Sequence, residues 1–339
     1  MISIETRKHW PRKIVMILMT VLTVSTLYAE KPSQPEFILP HRLLLVASEG
    51  LYVMERDSSC SWSYNVPSLN GIGAGVFDDL VYDGRALSDG HFLFATHRYL
   101  REIDQQGKTV WEYRVTGTSE VKSFVLRPDG SVAVLNSGEQ AILELERGTG
   151  KILKKIPLPA KGTNHTRYNL LRLTPADTYL VALRAETRFV EVDRDGDILN
   201  SYSVPSLTVE AQRLPDGSTL CSGRFGITRF GPDGKKAWSL NAKDVKDSFP
   251  MLLPCGFVPL DKGRLLVVNS DWHYKVPGSN RVPLFIVDEA KHIEWALDVK
   301  TFEPWKKSEI DPHSMLKEHR CMVVHILPEL KQRVETTRK

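Results

Sequence analysis

An all-β chain of six four-stranded units, closed into a ring by its own last strand, is the fold this sequence predicts. Three observations carry the prediction. First, Leu80–Val115 holds four short strand-like runs separated by tight turns, among them Ser88-Asp89-Gly90 and Asp104-Gln105-Gln106-Gly107. An Asp bonds its own backbone in such turns, and Gly takes positive φ without a Cβ clash. In the last run Trp111, Tyr113 and Val115 alternate with Val110, Glu112 and Arg114, the period of a strand with two unlike faces. Second, the unit recurs: Gly130 follows Gly90 by 130 − 90 = 40 residues, and so small a sheet needs neighbours to cover it. Third, the first unit lacks one strand, while a lone strand, Cys321–Leu327, stands near the C-terminus.

Taken in order, the chain starts with a basic segment, Arg7, Lys8, Arg12 and Lys13, followed by the uncharged apolar run Ile14–Val24. This reads as a secretory signal peptide cut after Ala29. The competing reading is an uncleaved membrane anchor, but the uncharged segment falls short of the ~20 residues a spanning helix needs. The expected organisation is therefore 1–29 signal peptide, 30–41 Pro-rich linker, 42–328 six-bladed β-propeller and 329–339 polar tail. Unit one has three strands, from Arg42 to Tyr64, and Cys321–Leu327 is expected to supply its fourth. Units two to six run Leu80–Val115, Glu120–Pro159, His165–Val204, Leu207–Leu240 and Pro250–Val299. Trp62, Trp111, Trp238 and Trp295 fall at the same place in their units.

Composition excludes more than it assigns. Lys plus Arg number 45 and Asp plus Glu 41, a net charge of +4, which makes no electrostatic case for nucleic acid. Membrane association is expected only if the leader stays attached. Four cysteines, Cys60, Cys221, Cys255 and Cys321, fall mostly in different units, and no disulfide framework is expected.

In a propeller each blade runs a–b–c–d outward from a central channel, so a–b and c–d turns share one face and b–c and d–a links the other. Here the a–b and c–d turns are short. The long links, 159–165, 241–249, 300–312 and the insertion 271–281, all belong to the second face. Long irregular loops on a rigid frame are where sites sit. The residues expected at that mouth are Asp79, Lys122, Arg167, Glu210, Trp272, His273 and Trp305 for ligand binding, with His165 and His313 as candidate nucleophiles or general bases. Arg forks onto oxyanions, and exposed aromatic rings suit a glycan or protein surface. No pair has local metal-ligand spacing such as HxxxH, so no metal is assigned.

The units resemble the repeats of bacterial PQQ-like and WD40-like propellers in "EIDQQGKTVWEY", "EVDRDGDIL", "RFGPDGKKAWSL" and "QRLPDGSTL". Exported six-bladed propellers of this look include arylsulfotransferases, and that resemblance implies a channel histidine as sulfate acceptor, with His165 and His313 the nearest candidates. Lys122 departs from it by standing where a histidine would strengthen the match. PQQ itself is not expected, since the chain has neither the length of an eight-bladed dehydrogenase nor its adjacent cysteines; no other cofactor is assigned. The sequence reading is an exported, periplasmic or extracellular propeller that binds a small molecule, glycan or protein at its long-loop mouth. The alternative is a transferase or lyase using the mouth histidines.

Overall fold

The computed structural model describes residues 38–66, 80–270, 282–297, 302, 304 and 321–327, all within the compact unit Phe37–Lys339. The leader, the linker up to residue 37 and the tail from 328 lie outside the described residues. Among the described residues no helix is long and apolar enough to cross a membrane.

Six four-stranded antiparallel sheets make up the fold. Blade one contains β1 (Leu43–Ala47), β2 (Gly50–Met54) and β3 (Cys60–Asn65). Blade two is β4 (Val81–Ala86), β5 (Phe92–Thr96), β6 (Tyr99–Ile103) and β7 (Thr109–Arg114). Blade three is β8 (Val121–Leu126), β9 (Val132–Asn136), β10 (Ala141–Leu145) and β11 (Ile152–Pro157). Blade four is β12 (Tyr168–Leu173), β13 (Tyr179–Leu183), β14 (Arg188–Val192) and β15 (Ile198–Ser203). Blade five is β16 (Thr208–Arg213), β17 (Thr219–Gly223), β18 (Gly226–Phe230) and β19 (Lys236–Asn241), followed by the short helix α1 (Ala242–Val245). Blade six is β20 (Leu253–Pro259), β21 (Leu265–Ser270), β22 (Leu284–Val287) and β23 (Ile293–Ala296). The last strand, β24 (Cys321–Ile326), returns to blade one and pairs antiparallel with β1, Leu45 opposite Val324. The six blades and the closing strand agree with the sequence reading.

The turns form for the reason their composition suggests. Asp89, Asp129 and Asp216 each accept the backbone N–H two residues on, at 2.9–3.0 Å, and the Gly between them holds positive φ. The second and third strands of most blades are buried on both faces, whereas the outermost strands alternate or are largely exposed. Neighbouring blades therefore stack face to face on apolar clusters that they share, as between blades two and three and between blades three and four. Polar ties on the rim fix each blade to the next. Trp62 Nε1 donates to Gln105 O of blade two, and Trp238 Nε1 to Glu289 O of blade six, both at 2.9 Å. Glu102 on β6 takes Arg147 from blade three at 2.8 and 2.6 Å. Glu144 on β10 takes Arg194 from blade four in the same way, and Glu191 on β14 takes Arg213 of blade five at 2.5 Å. Between blades five and six the polarity reverses, with Arg229 on β18 bonding Glu289 at 2.5 Å.

At the centre Arg172 of β12 joins three blades. Its Nη1 bonds Asp83 of β4 at 2.9 Å and its Nε bonds Glu210 of β16 at 2.5 Å. Burial opposes the Asp83 charge, yet the Arg172 guanidinium holds this carboxyl well below the usual range. Among the described residues Cys60 and Cys221 are free thiols.

A charge placed on the closing strand should open the ring. Val324 is 1% exposed, so Val324→Asp should lower urea-measured stability by more than about 3 kcal/mol. Val110→Asp, at a position 52% exposed on β7, should stay within about 0.5 kcal/mol. Similar losses in both would mean that β24 is not a structural seam.

Candidate functional site

A one-residue bulge interrupts the pairing near the start of every innermost strand, in all six blades. A bulge bends its strand and re-aims a side chain. In blades two and three the residues at the irregularity are Tyr82, between Val81 and Asp83, and Lys122, between Val121 and Ser123. Both lie at the long-loop end of the channel, where d–a links deliver the chain into the inner strands.

Two links bring histidines to the same place. The two-residue connection His97-Arg98 joins β5 to β6, and the His97 carbonyl accepts the N–H of Val121 at 2.8 Å, which pins it to the entrance of blade three. The link from β11 to β12 is a tight loop. Gly162 holds φ +103° there, and a Cβ on it would come within 2.8 Å of Thr166 Oγ1. Thr163 O accepts the N–H groups of Thr166 and Arg167 at 3.0 and 2.9 Å. Asn164 Nδ2 donates to Thr118 O at 2.9 Å, which ties this loop to the one before β8. His165, between those anchors, is thereby set over Glu120.

Glu120 is the hub of the cluster. Lys122 Nζ is ion-paired with its Oε2. His165 Nδ1 and His97 Nε2 stand 3.4 and 3.5 Å from the same oxygen. The Tyr82 ring stacks on His97 with centroids 3.9 Å apart, and the Lys122 ammonium sits 5.9 Å from the Tyr82 ring centre. His97 and Lys122 are buried, at 1% and 4% side-chain exposure, whereas His165 is 41% exposed. Burial, with the Lys122 charge alongside, pushes His97 well below the ordinary imidazole range, so it is neutral at pH 7. Burial also pushes the Lys122 ammonium down to about 8, against the pull of Glu120. Burial works to raise Glu120, but the neighbouring His165 and the Lys122 charge hold it at about 2.

The cluster thus offers a neutral imidazole, a partly exposed imidazole and an amine that titrates near neutrality, all within reach of one carboxylate. Donor atoms of His97, Glu120 and His165 lie within 4.8 Å of one another, close enough to share one divalent ion. The Lys122 ammonium already supplies a cation beside Glu120. A second group, Asp89, His91 and Glu102, lies on the short-turn face, where Arg147 neutralises it as part of a blade-to-blade tie.

Of the sequence-derived candidates, Lys122 and His165 come together here. Arg167 stands next to the cluster, but its guanidinium bonds the carbonyls of Ala160, Ser137 and Gly162 and the side chain of Asn164. It builds the loop that carries His165 and has little left to offer an anion. Glu210 is not at the mouth: it is buried inside the channel on Arg172, with its Oε1 also accepting from Gln212 at 2.9 Å. Asp79, Trp272, His273, Trp305 and His313 lie outside the described residues. Sequence reasoning missed His97, Glu120 and Tyr82. A search for polar residues within two positions of every inner-strand start would have found Glu120 and Tyr82, but His97 sits in a link too short to attract notice.

No family model matches this chain, and no curated protein does. Solved structures do. A protein of unknown function from Bacteroides caccae is 19% identical over 84% of this chain and 98% of its own, with a TM-score of 0.69. A catalytically inactive virginiamycin B lyase from Staphylococcus aureus with quinupristin is 15% identical, over 75% of this chain and 84% of its own, with a TM-score of 0.53. A streptogramin B lyase is 14% identical over 78% and 86%, with a TM-score of 0.54. At these identities the likeness is one of fold.

The sign of the Glu120 shift fixes a pH dependence. A carboxyl held below its ordinary 4.5 contributes stability that is present above that value and lost as pH falls through about 2. The stability difference between wild type and Glu120→Gln should therefore be largest above pH 5 and shrink steadily on acidification. Urea titrations at pH 6 and pH 3 measure it, and a difference that grows at pH 3 would contradict the assignment.

Proposed function

We propose that this chain is an exported propeller that captures a small polar ligand at its long-loop mouth, over His97, Glu120, Lys122 and His165. The convergence of these four side chains, drawn from blades two and three and the link into blade four, carries the reading. Ion pairs that serve stability alone do not need two imidazoles aimed at the same carboxylate oxygen. His165 is the exposed contact, and Lys122 and Glu120 supply a charged donor and acceptor behind it. Export rests on the leader read from the sequence, and the mature chain is expected to begin at Glu30.

One observation favours a second reading, acid–base catalysis at the same place. A lysine brought down to about 8 exchanges its proton near physiological pH, and shifted groups cluster at catalytic sites. Two of the fold neighbours are lyases. In that reading Lys122 in its neutral form removes a proton from the substrate, and His165 contacts the departing group.

Thermal-shift screening of the purified chain against sugars, sulfated phenols and divalent metals separates the possibilities. A ligand of the mouth should lose roughly 5- to 150-fold in affinity with His165→Ala. If the screened compounds turn over, Lys122→Met should cut the rate by about 10²–10⁴-fold and remove the pH limb near 8. Ligands held equally well by wild type and both variants would take the site away from this face.

A further inference from the structure

The opposite end of the channel contains a cavity of about 520 Å³, within the range of small-molecule sites. Every blade contributes to it from the second half of its inner strand, next to the short turns. Five of the six inner strands present their fifth residue there: His325, Arg85, Val125, Arg172 and Gln212. Arg213 also lines it, with its guanidinium tied back to Glu191 and Tyr202.

The charges are arranged asymmetrically. No carboxylate is among the described residues that line the cavity. The acids that balance its arginines stand behind them: Asp83 and Glu210 hold Arg172, and Glu191 holds Arg213. Arg85 has neither a hydrogen bond nor an ion pair among the described residues, and it feels Asp83 and Glu210 only at longer range. Arg172 is 4% exposed, yet its Nη2 has no hydrogen-bond partner among the described residues. Buried guanidinium donors that the protein leaves unmet are costly unless something else accepts from them. The wall thus turns guanidinium donors, and no carboxylate acceptor among the described residues, toward the cavity, the converse of what a cation needs.

We propose that this cavity binds a small anion, an organic carboxylate or phosphate gripped by Arg85 and Arg172. Gln212, whose amide N–H groups are taken by Glu210 and the Phe257 carbonyl, and Arg213, held by Glu191, complete the far wall. Guanidinium forks match the oxygens of either group in pairs, which a lysine cannot do. The site is independent of the mouth cluster and lies at the other end of the channel.

Isothermal titration with citrate and with inorganic phosphate tests the proposal and separates its two sources. At least one of them should bind, more weakly as salt rises. Arg85→Met should reduce the affinity about tenfold to a hundredfold. It removes no hydrogen bond among the described residues, so the variant should still melt cooperatively. Arg85→Lys, which keeps the charge without the fork, should fall between the two. Should Arg85→Met fail to fold, modification of wild-type Arg85 by phenylglyoxal, read by mass spectrometry, gives the same answer, because the bound anion should block it. Absence of binding by both anions, undiminished affinity in Arg85→Met, or unprotected Arg85 would each overturn the site.

Discussion

Five of the six sheets are made of strands that follow one another in the chain; the sixth gains its fourth, innermost strand only because β24 pairs with β1. That pairing joins segments nearly the whole described chain apart, so the loop-closure cost, about 5 kcal/mol on the logarithmic law, falls on a single seam. Without it β1 would present an unpaired edge at the channel, and an exposed edge invites association with other chains. The seam also brings His325 to the channel beside Asp83, 3.8 Å away. There burial and the Arg85 charge push the imidazole down to about 3, so it stays neutral across the physiological range.

Closure gives the channel two unlike ends. At the long-loop end, recurrent bulges turn Tyr82 and Lys122 into the mouth, and Glu120 collects an ammonium and two imidazoles. At the short-turn end the inner strands run in regular register and present guanidinium groups. Between them Arg172, with Asp83 and Glu210, forms a buried plug of charge that ties blades two, four and five. Such a group is held by geometry, because removing any one member strands the others in a poorly solvated interior.

The architecture was legible because its signals are local. An Asp before a Gly, a Trp at one place in the unit and the period of two are each set by neighbours in sequence. The choice of face was legible for half the mouth: Lys122 and His165 stand at the entrances of inner strands, where the repeat places them. The remainder depends on features with no local mark. A bulge changes the direction of one side chain without changing the hydrophobic pattern, so Tyr82 reads as an ordinary strand residue. His97 lies in the shortest kind of link, where loop length gives no hint. Glu210 looks like a mouth residue until the bulge after Thr208 is counted, which carries it into the channel. Arg85, Arg172 and His325 line one cavity only because five strands, distant in sequence, place the same position at the same height.

The ties between blades carry an asymmetry of their own. From blade two to blade four the acid stands on the third strand and the base comes from the following blade; at the junction of blades five and six, Arg229 and Glu289 exchange those signs. A repeat array risks docking its copies in the wrong order during folding. Were blade six to settle against blade three, Glu289 would meet Glu144; were blade four to settle against blade five's outer side, Arg194 would meet Arg229. Both of these mistaken neighbours are met by like charge, so the reversal sets the junction of blades five and six apart from the other ties.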